Sequence, residues 1–373
     1  MRLWCREHPL AGAARRRGGG ARLNKVIAAI KRCGFFPADY VYANPDLAQL
    51  PDADAAMMHF VAVGVDEERQ FPINLDLDGF DELGALELAP DFKAAIAAIL
   101  VNNYLAPSSS FWGLCAGNQR AFLATLIPTL RRWASPYLII GDSHSGLYRH
   151  LIVGGRQPLL PVHVLMSACS AVGLSNPDSR SGAARRMVPL AEALPRDARL
   201  IFKFGQVDVE FVFAFRRIET GHHRFDPEAF DQFCRRSVFS YVNFLNDHFK
   251  HHNVAVTSIF PPTLSDEAWR EGYVNAHIAA AEGDHPLEAI RAGVKQLEIP
   301  TVVERTRHHA RYNEILRHRV AASGFAFIDD FSPFLGADGV VDPRFIPTTR
   351  GRDHHLERAP AAPIIKDIIA RTA

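Results

Sequence analysis

The chain has no apolar run of the roughly 18 residues that a bilayer-crossing helix needs, so no membrane span is expected. It has no CxxC spacing either. Its five cysteines, Cys5, Cys33, Cys115, Cys169 and Cys234, are scattered and odd in number. This pattern argues against a disulfide framework and against a zinc site, and favours reduced thiols in a cytoplasmic protein. Charge of either sign is not in excess: the formal net charge is +1, which gives no electrostatic case for nucleic acid or an anionic membrane as partner. No apolar core follows Arg2, Arg6 and Arg15 to Arg17, so the N-terminus does not read as a secretory signal. Residues 1–24 are expected to form a disordered basic tail.

What is present is chemistry at strand ends. Tyr137 to Ile140 is a short apolar run between Pro136 and Gly141, a buried strand by its pattern, and it stops at Gly141-Asp142-Ser143-His144. In an open parallel sheet the C-terminal edge of the strands is where ligands bind. A serine there, ahead of a helix expected over Leu147 to Val153, has backbone N–H groups aimed at whatever it attacks. It reads either as a nucleophile with part of an oxyanion site built in or as a plain helix cap, since Asp and Ser both cap well. Two more strand ends tip the balance. Leu200 to Phe204 runs into Gly205-Gln206-Val207-Asp208, and Phe325 to Ile328 leads through a Gly- and Pro-punctuated loop to Arg352-Asp353-His354-His355-Leu356. A serine on an early strand edge with a histidine on a late loop is an order known in serine hydrolases.

On these residues, 137–371 resembles the SGNH or GDSL hydrolase family, serine esterases and acyltransferases on a flavodoxin-like sheet. The resemblance implies Ser143 as nucleophile, His355 as general base, Gly173 in Ala171-Val172-Gly173-Leu174-Ser175-Asn176 as oxyanion donor with the Ser143 N–H, and Gly205 and Asp208 as a supporting third block with Asp142. Two positions depart from the family pattern. Val207 stands where a donor asparagine is usual, and Arg352 stands three residues before His355, where the acid is usual. Asp353, two before the base and on its side of an extended segment, is the expected acid, with Asp208 as the alternative.

The implied fold is α/β: a five-stranded parallel sheet of order 2-1-3-4-5 between helical layers, over residues 136–373. Its strands are expected at Tyr137–Ile140, Pro161–Met166, Leu200–Phe204, Val254–Phe260 and Phe325–Ile328, with helices from Asp226 through Lys250 and from Arg311 to Ala322. Residues 73–135 read as a helical connector with helices over Phe92–Leu100 and Ala121–Trp133. Residues 25–72 read as a small helical module. Its Phe35…Tyr40, Asn44-Pro45-Asp46-Leu47 and His59-Phe60…Gly64, closing on Glu67 and Arg69, resemble a short module of bacterial proteins that handle surface polysaccharides. Gly64 is expected to end a helix, and His59 to be packed rather than a ligand.

The function these readings support is a serine-dependent acyl ester hydrolase acting on a small or carbohydrate ester, with no cofactor and no metal. Water or a sugar hydroxyl can accept the acyl group, so an O-acyltransferase associated with polysaccharide-biosynthesis machinery is an alternative, as is an inactive binding protein of such a system. A metallophosphoesterase with Asp142 and His144 as metal ligands is the remaining alternative. The Gly-Asp-x-x-Asp-Arg-Gly and Gly-Asn-His blocks that chemistry needs are missing. The seventeen histidines include four adjacent pairs, read mostly as surface or cap residues.

Overall fold

A computed structural model describes residues 19–106, 111, 116–176, 178–179, 182–271, 287–348 and 353–372. Arg2, Arg6 and Arg15 to Arg17 of the expected tail, Cys5, Cys115, the Pro107–Ser110 loop and Arg352 lie outside these residues. By internal contacts the chain divides into two compact units, Met1–Tyr137 with Ile152–Val162, and Leu138–Leu151 with His163–Ala373. No helix among the described residues is long and apolar enough to cross a membrane.

The first unit is helical: α1 (Gly19–Arg32), α2 (Pro37–Ala43), α3 (Ala53–His59), α4 (Asp78–Ala85), α5 (Pro90–Tyr104) and α6 (Ala116–Arg131). Helix α1 starts inside the segment expected to be a tail. Helix α2 opens on a proline, and Asp52 caps α3 by accepting from Ala55 N at 2.7 Å, both ordinary helix starts. Phe35, Tyr40, Phe60 and Phe71 pack with ring centroids 4.4 to 5.5 Å apart. Around this cluster the polar motif residues hold one another. Arg69 reaches Asp46 and Glu67, both at 2.7 Å, and Asn44 donates to Tyr40 O at 2.8 Å. His59 Nδ1 lies 3.0 Å from the Tyr40 hydroxyl. Gly64 does not end a helix in the left-handed conformation. It sits in a π-helical turn, Phe60–Gly64, with the Tyr40 hydroxyl packed where a Cβ would be.

The sheet has five strands, β1 (Ser135–Gly141), β2 (Leu159–Leu165), β3 (Arg199–Lys203), β4 (Asn253–Thr257) and β5 (Ala326–Ile328), in the order β2-β1-β3-β4-β5. The α/β class and the strand order are those the sequence predicts. Leu200 lies opposite Val254 and Phe202 opposite Val256, and Thr257 lies opposite Ile328, in parallel register. Tyr137 to Ile140 are all buried, as a strand with neighbours on both sides requires. The strand order reverses at β1, which makes its C-terminal end the switch point.

The helices of the second unit are α7 (Ala183–Ala193), α8 (Phe213–Glu219), α9 (Pro227–Phe249), α10 (Asp266–Arg270), α11 (Leu287–Gln296), α12 (Val302–Ala322) and α13 (Arg358–Thr372). Asp226 caps α9 through Glu228 N and Ala229 N, as Asp-Pro-Glu predicts. Helix α12 begins at Val302, well before the expected Arg311, because Thr301 and Glu304 form a reciprocal capping box. Strand β4 stops at Thr257 instead of Phe260. Beyond it, side chains replace the ladder: Asn313 bonds both Ile259 N and Ile259 O, at 2.8 and 3.0 Å, and Gln206 Oε1 accepts from Phe260 N at 2.8 Å.

The helix expected over Leu147–Val153 is absent. A 3-10 helix, Ser143–Tyr148, takes its place. Asp142 starts it by accepting from His144 N, and near its end Arg358 donates to Gly146 O and Leu147 O at 2.9 and 3.1 Å.

Candidate active site

The site is built where β1 ends. Met166 N donates to Gly141 O at 2.8 Å and Asp142 N to Lys203 O at 3.1 Å, which stitches this corner to the ends of β2 and β3. A Cβ on Gly141 would strike the Lys203 carbonyl oxygen, so the approach requires glycine. Ser143 follows as the first residue of the 3-10 helix and is partly exposed. No described residue hydrogen-bonds its hydroxyl or its backbone N–H.

His144, the next residue, is buried, with Nδ1 3.1 Å from Asp142 Oδ1. Its ring centroid lies 4.6 Å from that of His355 and 5.0 Å from that of His354. The early strand edge and the late loop therefore meet, although 210 residues separate His144 from His354. Burial drives His144 well below the ordinary histidine range, so its contact with Asp142 joins a neutral imidazole to a carboxyl group. Burial also pushes Asp142 up to about 6, against the His144 N–H bond and the Lys203 charge that pull it down.

On the loop, Asp353 Oδ1 lies 2.6 Å from His355 Nδ1 and also accepts from His355 N at 3.0 Å. Burial alone would raise the Asp353 pKa. The two His355 bonds outweigh it and hold the carboxyl at about 2, so it is ionised at neutral pH. A carboxylate fixed on Nδ1 leaves Nε2 of the same ring as the available nitrogen.

Asp208 is placed differently. Its carboxylate accepts from Ala171 N at 2.5 Å, Val172 N at 2.9 Å and Ser237 Oγ at 2.7 Å, with burial pushing it up to about 6 against these bonds. It braces the Ala171–Gly173 loop and makes no hydrogen bond to His355. Gly205, at φ +112°, turns β3 beneath Tyr312, whose hydroxyl would lie 2.5 Å from an added Cβ. The Gly173 N–H is taken up within its own turn by Ser170 O at 3.1 Å and Ser170 Oγ at 3.2 Å. Of the two expected oxyanion donors, the Ser143 N–H alone is unengaged.

Sequence reasoning missed the polar network beneath the site. Lys203 Nζ is buried 2.7 Å from both Asp330 Oδ2 and Ser258 O, and it lies 3.4 Å from the Phe260 ring centroid. Tyr148 and Ser258 each donate to Asp330 at 2.6 Å. A lysine ending an otherwise apolar strand was the available signal, because a buried lysine needs a partner. Also missed was Ser145, which donates to Asp142 O at 2.6 Å and sits 2.8 Å from His163 Nε2.

No protein-family model and no curated protein matches the chain in sequence. Among solved structures it is similar to a GDSL-like lipase from Bacteroides thetaiotaomicron, at 12% identity over 69% of this chain and 94% of that one, with a TM-score of 0.35. An extracellular lipase from Streptomyces rimosus aligns at 12% identity over 64% of this chain and 100% of its own, with a TM-score of 0.34. A lipase/acylhydrolase from Enterococcus faecalis aligns at 11% identity over 64% and 94%, with a TM-score of 0.29.

Proposed function

We propose that this chain is a serine-dependent acyl ester hydrolase. The observation that carries the proposal is the Asp353–His355 pair at 2.6 Å, on the loop whose histidines pack against the residue following Ser143. In this reading His355 Nε2 takes the proton of Ser143, whose oxygen attacks an ester carbonyl. The Ser143 N–H holds the developing oxyanion, and Asp353 fixes the imidazole tautomer and offsets the imidazolium charge. The histidine then protonates the departing alcohol. Water releases the acyl group by the same route in reverse, and a sugar hydroxyl in place of water would make the reaction an acyl transfer. The small N-terminal module, by its resemblance, supports a carbohydrate ester as substrate.

A second reading, a binding protein that kept the fold without turnover, is favoured by one observation: the Gly173 N–H is occupied and Val207 offers no donor. One assay separates the two. Hydrolysis of an aryl acetate in the presence of EDTA is expected for the enzyme, since no step needs a cation. No turnover by folded protein indicates the binding role. Loss on chelation with recovery on adding manganese would instead support the metallophosphoesterase alternative.

A further inference from the structure

We infer that His144, His354 and His355 form a binding site for a divalent transition-metal ion of the Zn²⁺ type, and that the ion inhibits the esterase by occupying its base. One ligand atom from each of the three residues lies within 4.8 Å of the other two. Zinc takes imidazole nitrogen at about 2.0–2.1 Å in a tetrahedron, which puts ligand nitrogens about 3.3 Å apart. A modest inward movement closes the gap, and His354 and His355 are only partly buried.

Proximity of imidazoles is common, and what singles out this cluster is the arrangement behind them. Metal-binding histidines characteristically give their second nitrogen to a carboxylate, which fixes the tautomer and directs the first nitrogen at the ion. His144 has Asp142 on Nδ1 at 3.1 Å and His355 has Asp353 on Nδ1 at 2.6 Å. Their Nε2 atoms are thereby left for the ion, with His144 Nε2 held only by a 3.4 Å contact to His354 O, at the weak end of hydrogen-bond geometry. His354 Nε2 and Asp142 Oδ2 are both buried without a hydrogen-bond partner. An unpartnered buried donor or acceptor costs free energy. An ion would satisfy His354 directly and would be attracted by the unshared carboxylate oxygen of Asp142. All-nitrogen ligation suits zinc, copper or nickel and not magnesium or calcium.

The inhibitory half of the inference rests on the proposed function. A metal on His355 Nε2 holds the lone pair that would take the Ser143 proton. Binding and inhibition are therefore measured separately. After EDTA treatment and desalting, the protein is titrated calorimetrically with Zn²⁺, and with Co²⁺ followed by its visible absorption. One ion per chain is expected, with the intense bands of a four-coordinate Co²⁺ site. Ser143→Ala should bind as the parent does. His354→Ala should abolish the tight site, and Asp353→Asn, which keeps all three imidazoles, should weaken it about 10- to 100-fold. Aryl acetate hydrolysis by the parent should fall with the same Zn²⁺ midpoint and recover with EDTA. Absence of a stoichiometric site, or a site of equal affinity in His354→Ala and Asp353→Asn, overturns the inference. A site that is present in a protein without esterase activity upholds the binding and refutes the function separately.

Discussion

Two serines stand two residues apart in this molecule, and they are not equivalent. Ser145 lies 2.8 Å from His163 Nε2, yet its proton is already committed to Asp142 O at 2.6 Å. The histidine must then be the donor in the Ser145–His163 bond, and a nitrogen that carries a proton cannot accept one. Both residues are buried, and burial holds His163 down at about 3. Ser143 shows the opposite set of properties: it is partly exposed, its hydroxyl has no described hydrogen-bond partner, and the residue after it packs against the loop histidines. A short serine–histidine distance is thus not by itself the sign of an activated serine. What matters is which atom owns the proton, and whether a substrate can arrive.

Substitution of the two serines probes the contrast most strongly. Ser143→Ala should lower kcat/KM for an aryl acetate by about 10⁴- to 10⁶-fold with unchanged thermal stability. Ser145→Ala should keep its activity per folded molecule and lose about 1–3 kcal/mol of unfolding free energy, because His163 and Asp142 O lose their shared partner. Swapped outcomes would reverse the assignment.

The two aspartates give the next largest effect. Asp353→Asn should reduce kcat by about 10⁴-fold, since an amide can hold the wrong tautomer and offsets no charge. Asp208→Asn places an NH₂ among three donors in a buried site. It should cost about 1–3 kcal/mol of stability in denaturant unfolding, with a far smaller loss of kcat. A larger kcat loss for Asp208→Asn would move the acid there.

The most gradual effect is in the pH dependence of stability. His163 binds a proton near pH 6.5 when unfolded but only near 3 when folded. Its contribution is therefore complete above about pH 6.5 and is lost as pH falls toward 3. Asp142, Asp208 and Glu210, all raised by burial, act in the opposite direction, so a difference measurement is needed. Stability of the parent relative to His163→Asn should fall by up to about 1.4 kcal/mol per pH unit below 6.5. A difference that does not change with pH would mean that His163 is not a buried neutral donor.

The sheet was legible because buried parallel strands are written as largely apolar runs, with a glycine at or just after the end of β1 and β3. Its boundaries were less so at β4, where Asn313 and Gln206, distant in sequence, take over the backbone bonds. The start of α12 was hidden in a charged stretch, although its Thr301/Glu304 capping signal was present. At the candidate site, Ser143, His355 and Asp353 stand out in the sequence because each lies in a short motif at a strand end or on a loop. The packing of His144 against the loop histidines was beyond the sequence, since 210 residues intervene. So was the occupation of the Gly173 N–H by Ser170, which depends on the turn adopted locally.

The central claim is that Ser143 is an activated nucleophile, and a fluorophosphonate probe followed by peptide mapping tests it most directly. The reagent needs a serine that is accessible, deprotonated by a neighbouring base and flanked by an oxyanion site. Labelling should be stoichiometric at Ser143, absent at Ser145, and lost in Ser143→Ala. Labelling of Ser145 or another serine, or no labelling of well-folded protein, would contradict the account.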